Sequence, residues 1–205
     1  MARKLTTFWK TIFLRLPPFS FFTMSRTRFV QAACAAALVS AALSFASPVL
    51  AQAPASPRDS LLVVIAGDTI SVNFGRPSKR GREIFGGLPD MKWGMVWRMG
   101  ANEATAFTTT KNIAFGTSAV PAGKYTLWVK LDEGGKWELI VNKQTGIWGT
   151  AYNELHDLVH VPMTVTALPA VIEKMEIAVV PKGRAGGELS VQWDKTRAAA
   201  SFTVK

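Results

Sequence analysis

Cysteine is nearly absent. The one cysteine in 205 residues, Cys34, lies in an Ala-rich N-terminal stretch. Past that stretch there is no thiol. Disulfides, thiolate nucleophiles and Cys-ligated zinc are therefore excluded from the remainder. Acidic residues are also missing where the chain begins. The first 53 residues hold six Lys or Arg and no Asp or Glu. The remaining 18 basic and 14 acidic residues leave a charge of +4, not the +10 of the whole chain. A strongly basic body, the footprint of a nucleic-acid binder, is thus absent. Only two histidines occur. No G-x-S-x-G nucleophile elbow is present, and no glycine-rich loop ends in Lys-Ser/Thr as a P-loop does. Long helical periodicity is missing too.

What is present divides at residue 53. Residues 1–53 read as an N-terminal extension plus a signal peptide, the signal proper spanning 24–53. Ser25 to Arg28 forms a short basic region, and Phe29 to Phe45 an apolar run. Val49 to Ala53 offers small residues for cleavage after Ala51 or Ala53. Translation is expected to begin at Met24. Gln31 to Ala33 does not form a lipidation box before Cys34. The expected location is periplasmic or secreted, with no membrane span after cleavage. Residues 54–205 are long enough for one domain with a real core.

Within that domain, strand signals recur between turn residues. Ile70, Val72 and Phe74 alternate with Ser71 and Asn73, and Leu61 to Ile65 is a short apolar run. Gly67-Asp68 is the expected turn between them. Val120 to Gly123 reads as a type I turn with Pro second and Gly fourth. Tyr125, Leu127, Val129 and Leu131 then alternate, and Trp137, Leu139 and Val141 return after Asp132 to Gly135. This hairpin pairs Val129 with Leu139 and places Trp128 opposite Ile140 on the outer face. Such an apolar pair needs a cover: a strand layer, a loop or the partner chain of a homodimer. Met163, Met175, Ile177, Val179, Leu189, Val191, Trp193, Phe202 and Val204 continue the rhythm. Roughly nine short strands with little helix predict an all-β fold, an antiparallel β-sandwich or jelly roll. One or two helical turns fit Asn153 to Leu158.

Two stretches are rich in polar groups and poor in strand signal. The first, GRPSKRGREIFGG, carries Arg76, Lys79, Arg80 and Arg82 on a Gly/Pro-punctuated loop. Backbone N–H groups and guanidinium forks on such a loop suit an anion. The alternative is a solvated basic loop. The second is WRMGANE. Trp97 and, further on, Trp148 offer flat apolar contact; Arg98 offers a planar fork; Asn102 and Glu103 offer complementary hydrogen bonds. Gly100 is the expected bend. In the competing reading Arg98 and Glu103 form an internal ion pair, Asn102 an Asx-turn, and the cluster orders a corner. His156 and His160, four apart beside Glu154 and Asp157, have a metal-like helical spacing, but Val159 and Val161 point to a strand there. No cofactor is expected.

The elements GRPSKRGREIFGG, WRMGANEAT, VPAGKYTLW and WELIVNKQTGIWG, in that order, resemble the bacterial secreted family known as domain of unknown function 2911, over residues 56–205. Met99 and Ala106 stand where the family pattern has Thr. The resemblance implies an exported β-rich domain and supplies no activity. Three functions are consistent with these residues. The first is a domain binding a glycan or an anionic small molecule through Arg76, Lys79, Arg82, Trp97, Arg98, Asn102, Glu103 and Trp148. The second is a hydrolase using Glu103 with Arg98 and His156. The third is an interaction module using the Trp128–Ile140 face.

Overall fold

The computed structural model describes residues 55–205. The extension and signal of the sequence reading lie outside them. Eleven strands build two antiparallel sheets. In chain order they are β1 (Arg58–Ile65), β2 (Asp68–Gly75), β3 (Val96–Trp97), β4 (Thr105–Thr109), β5 (Ile113–Phe115), β6 (Ser118–Val120), β7 (Gly123–Lys130), β8 (Glu138–Asn142), β9 (Asp157–Pro162), β10 (Thr164–Lys182) and β11 (Gly186–Val204). A 3-10 turn, Glu154–His156, precedes β9. The first sheet runs β1-β2-β4-β7-β8-β9, with β3 added to β7; the second runs β10-β11-β5-β6. No helix among the described residues is long and apolar enough to cross a membrane.

The sandwich core follows from period-two burial. Ile70, Val72 and Phe74 on β2, Leu127 and Val129 on β7, and Leu139 and Val141 on β8 face inward. Ile177, Val179, Leu189, Val191 and Phe202 meet them from the second sheet. The strand count exceeds the expected nine, and two strands are not short. β10 and β11 each run 19 residues. Their pairing shifts register between Ala167, Ile172 and Glu176. Near this irregularity Asp194 adopts a left-handed φ of 55°. The parity of β11 changes there: Leu189, Val191 and Trp193 enter the core before it, Ala198, Ala200 and Phe202 after it. A bulge of this kind keeps one strand continuous while switching which residues face inward.

The β7–β8 hairpin has the expected register, with Val129 opposite Leu139 and Trp128 opposite Ile140. Trp128 and Ile140 are almost fully buried on the outer face. Their cover is a loop of the same chain, through Ile147 and Tyr152, together with Val96. The rings of Trp128 and Tyr152 lie 4.9 Å apart, and the Trp128 indole N–H donates to Thr126 Oγ1 at 3.0 Å. The face is therefore closed to a partner, which corrects the interaction-module reading.

The first hairpin turns one residue earlier than expected. Ala66 and Gly67 both have positive φ, as a tight primed turn requires. Asp68 is instead the first residue of β2 and is fully buried. Its carboxylate accepts from Thr109 Oγ1 at 2.6 Å, from Thr110 N and Oγ1 at 2.8 Å each, and from Lys111 N at 3.0 Å. Burial alone would raise its pKa. The converging donors outweigh that and hold the carboxyl below its usual range.

Candidate functional site

The strand β3 ends at Trp97, and the chain then makes a corner before β4. The corner is held by backbone and hydroxyl contacts. Trp97 Nε1 donates to Gly100 O at 3.2 Å, and Thr105 Oγ1 donates to Met99 O at 2.8 Å. The bend is made by Met99 (φ 49°) and Asn102 (φ 64°), not by Gly100. Gly100 serves a close approach: a Cβ there would stand 2.9 Å from Thr105 Oγ1 and 3.1 Å from Gly75 O. Asn102 makes no Asx-turn. Its side-chain amide donates to Ser56 O at 3.2 Å, and its carbonyl accepts from Gly149 N at 2.9 Å.

The expected Arg98–Glu103 pair is not formed. Arg98 reaches Asp90, with Nη2 at 3.2 Å from a carboxylate oxygen. Glu103 pairs with Arg58 of β1 at 2.7 Å. The reason is topological. Glu103 forms an isolated antiparallel bridge with Trp148 and turns outward, whereas Arg98 turns back beneath the loop before β3. Glu103 is half exposed. Its own backbone N–H and then the Arg58 guanidinium hold its carboxyl below the usual range. That shift suits a permanent carboxylate, not a general acid. Arg98 Nε is the only buried side-chain N or O atom among the described residues that has no hydrogen-bond partner.

The basic loop divides into two kinds of residue. Arg76 is taken up internally by Glu176 at 2.7 Å and Met175 O at 2.9 Å, with Asp59 further away at 3.5 Å. Lys79 is bound by Asp194 at 2.8 Å and Arg82 O at 2.5 Å. These two fasten the loop to the β10–β11 sheet. Arg82 donates to two carbonyls, Lys79 O and Ser78 O, and meets no carboxylate among the described residues. Arg80 likewise has no carboxylate on its guanidinium there, which donates to Ala55 O at 3.3 Å.

Arg82, Trp97, Arg98 and Asn102 come together around a cavity of about 190 Å³, the middle chamber, which Ser56, Asp90, Met91 and Trp193 also line. An outer chamber of about 310 Å³ shares Ser56 and Arg82 with it and adds Arg80. Trp97 offers no exposed platform. It is 1% exposed and stacks on Trp193 with ring centres 6.1 Å apart. Glu103, Trp148, Arg76 and Lys79 do not line either chamber. Trp148 is 53% exposed on the surface. Left-handed backbone at Arg80, Met99, Asn102 and Asp194 surrounds this region; the only other non-glycine case among the described residues is Ala66 in the first turn. Strain of this kind concentrates at functional sites.

The histidines do not meet. His156 ends the 3-10 turn, while His160 lies on β9 between Asp157 at 3.0 Å and Glu138 at 3.3 Å. Among the described residues no group of three or more His, Asp or Glu side chains is arranged to hold a metal. Asp157 also accepts from Asn142 Nδ2 at 2.7 Å and from the Tyr152 hydroxyl at 2.5 Å. Burial, and then that bond to Asp157, push the Tyr152 hydroxyl far above its usual pKa, so it stays a donor.

The family model for proteins of unknown function, DUF2911, matches residues 56–202. The chain belongs to this family. That span holds every residue described in this region except Ala55. No curated protein and no solved structure matches the chain. The residues a sequence reading misses in this DUF2911 protein are Asp90, Ser56, Gly149 and Trp193. Of these, Gly149 carries a signal, in the Trp148-Gly149 element. A Cβ there would stand 2.0 Å from Arg98 Cδ and 2.5 Å from Asn102 O, so only glycine lets Arg98 pass.

Proposed function

We propose that this protein is an exported β-sandwich that binds a small anionic ligand at Arg98, between the basic loop and the corner before β4. The orphaned Arg98 Nε carries the reading. A buried donor without an acceptor costs about 1–3 kcal/mol, and a ligand oxygen on it removes that cost. Arg82 and Asn102 line the same chamber, and the neighbouring outer chamber has Arg80 and Arg82 as its only charged lining residues. A glycan is less well matched, because the exposed Trp148 lies away from the chambers while Trp97 is sealed in the core. The hydrolase reading is less well matched, since Glu103 is exposed, has its carboxyl pushed below the usual range and lies outside the chambers, as does His156. Export is supported by the basic, apolar and small-residue order of residues 24–53. Intact-mass analysis of the exported protein should find residues 1–51 or 1–53 removed.

The binding test is a thermal-shift series with acetate, phosphate, neutral sugars and divalent cations, on the wild type and on Arg98→Met. Binding to the native state raises the melting temperature. An anion is expected to raise it saturably in the wild type and not in Arg98→Met. The variant itself should stay within about 1 kcal/mol of the wild type, since it removes an unpaired donor with the charge. No anion effect, or one that persists in Arg98→Met, overturns the proposal.

A further inference from the structure

Arg98 has a second cavity on its other side. This far chamber, of about 230 Å³, shares only Asp90 and Arg98 with the middle one. Its wall is of another kind. Met95, Val96, Trp128 and Tyr152 give it thioether, aliphatic and aromatic surface. Its only charged lining residues are Asp90 and Arg98 themselves. Gly149, which also lines it, sits directly against the Arg98 Cδ and Nε atoms. Gly149 therefore covers the buried Nε, and it is Arg98, together with Asp90, that gives this chamber its charge.

We infer that the far chamber is a subsite for an apolar ring, and that the ligand class is a small aromatic carboxylate that takes the place of Asp90 on the Arg98 guanidinium. The inference rests on the anion-binding reading of Arg98. A guanidinium presents paired N–H groups in a fixed plane, the match for a planar carboxylate. Asp90 now uses only Nη2, through a single contact of 3.2 Å. It marks where a carboxylate is accepted. Asp90 is 48% exposed, so displacing it returns a charge to water and does not strand one. The chamber is of the right size, since an apolar cavity of about 150 Å³ already holds benzene. Its wall is rigid before binding. Tyr152 is fixed by the Trp128 ring on one side and by Asp157 at its hydroxyl, and a preformed wall lowers the cost of association. The Met95 sulfur adds contact suited to a ring edge.

Benzoate and acetate separate the parts. Both are titrated into the protein and into Thr150→Trp, which adds bulk at an exposed residue lining the far chamber. Benzoate is expected to bind at least tenfold more tightly than acetate. Thr150→Trp is expected to remove that preference and keep acetate binding. In methyl-labelled protein the Met95 resonance should move with benzoate and stay with acetate, a readout independent of the variant's folding. Equal affinities, with acetate binding still lost in Arg98→Met, overturn the subsite and leave the anion site standing. A benzoate preference that survives Thr150→Trp with an unmoved Met95 resonance places the ring elsewhere and also overturns it. No binding of either anion overturns both readings.

Discussion

Two charges of this sandwich, the fully buried Asp68 and the part-buried Arg98, are treated in opposite ways. Asp68 is wrapped by four hydrogen bonds from three consecutive residues, and Lys111 also reaches back to Ala66 O at 2.8 Å. Nothing on that carboxylate calls for an outside partner. Arg98 has one partner at 3.2 Å, a buried nitrogen with none, and a cavity on each side. A saturated charge is scaffold: it ties the β1–β2 turn to the end of β4. An unsaturated one, beside a glycine that makes room for it, is the feature on which the proposed anion binding rests.

That contrast can be broken most strongly at its saturated end. Asp68→Ala leaves the Thr110 and Lys111 backbone N–H groups without their acceptor in a buried site, and should cost about 3–5 kcal/mol. Denaturant unfolding of the variant checks this. The loss must also depend on pH. The native carboxyl titrates below the unfolded one, so its stabilisation is present above about pH 4 and is lost as the pH falls through the lower native value. The gap in melting temperature between wild type and Asp68→Ala should be widest near neutrality and close toward pH 2. A gap that stays constant from pH 7 to 2 would show that the carboxylate's charge is not what matters there.

A smaller effect is expected at Gly149. An added methyl meets Arg98 Cδ, which can shift, and Asn102 O, which cannot easily. Gly149→Ala should cost about 1–3 kcal/mol by overpacking and should weaken anion binding by displacing Arg98. Full affinity in this variant would show that Arg98's present path is not the bound one. The smallest effect belongs to Glu103. Its partner Arg58 keeps Asn73 as an alternative acceptor, with Nε at 2.6 Å. Glu103→Gln should change stability by less than about 0.5 kcal/mol, as exposed changes do, and should leave anion binding intact. Loss of binding in Glu103→Gln would return that residue to the site.

Much of the architecture is legible before any coordinates. The Tyr125-to-Val129 alternation, a turn at Pro121 and another at Gly134-Gly135 are enough to set the β7–β8 register, because a one-residue slip would turn every core side chain outward. The long strands are not legible. A bulge at Asp194 changes the parity of β11, so one strand reads as two. The site is half legible. Arg82, Arg98 and Asn102 stand out as unexplained donors near glycines. Their partners are not so legible, since Asn102 bonds across 46 residues to Ser56, just as Glu103 meets Arg58 across 45. Spacing along a β chain carries no information about such meetings. Trp97 misleads for a related reason: it alternates with the half-exposed Val96, and β3 is too short to show which of the two faces the core.

The stacked indoles of Trp97 and Trp193, 24° from coplanar and walled by Phe85, border the middle chamber. Two chromophores so placed couple electronically, and Arg98 stands next to one of them in the chain. The molecule therefore carries its own optical gauge: emission and near-ultraviolet dichroism report on the cavity without any added label. A change at Arg98 is expected to alter that signal, which would make the proposed binding measurable even for a ligand that is itself colourless.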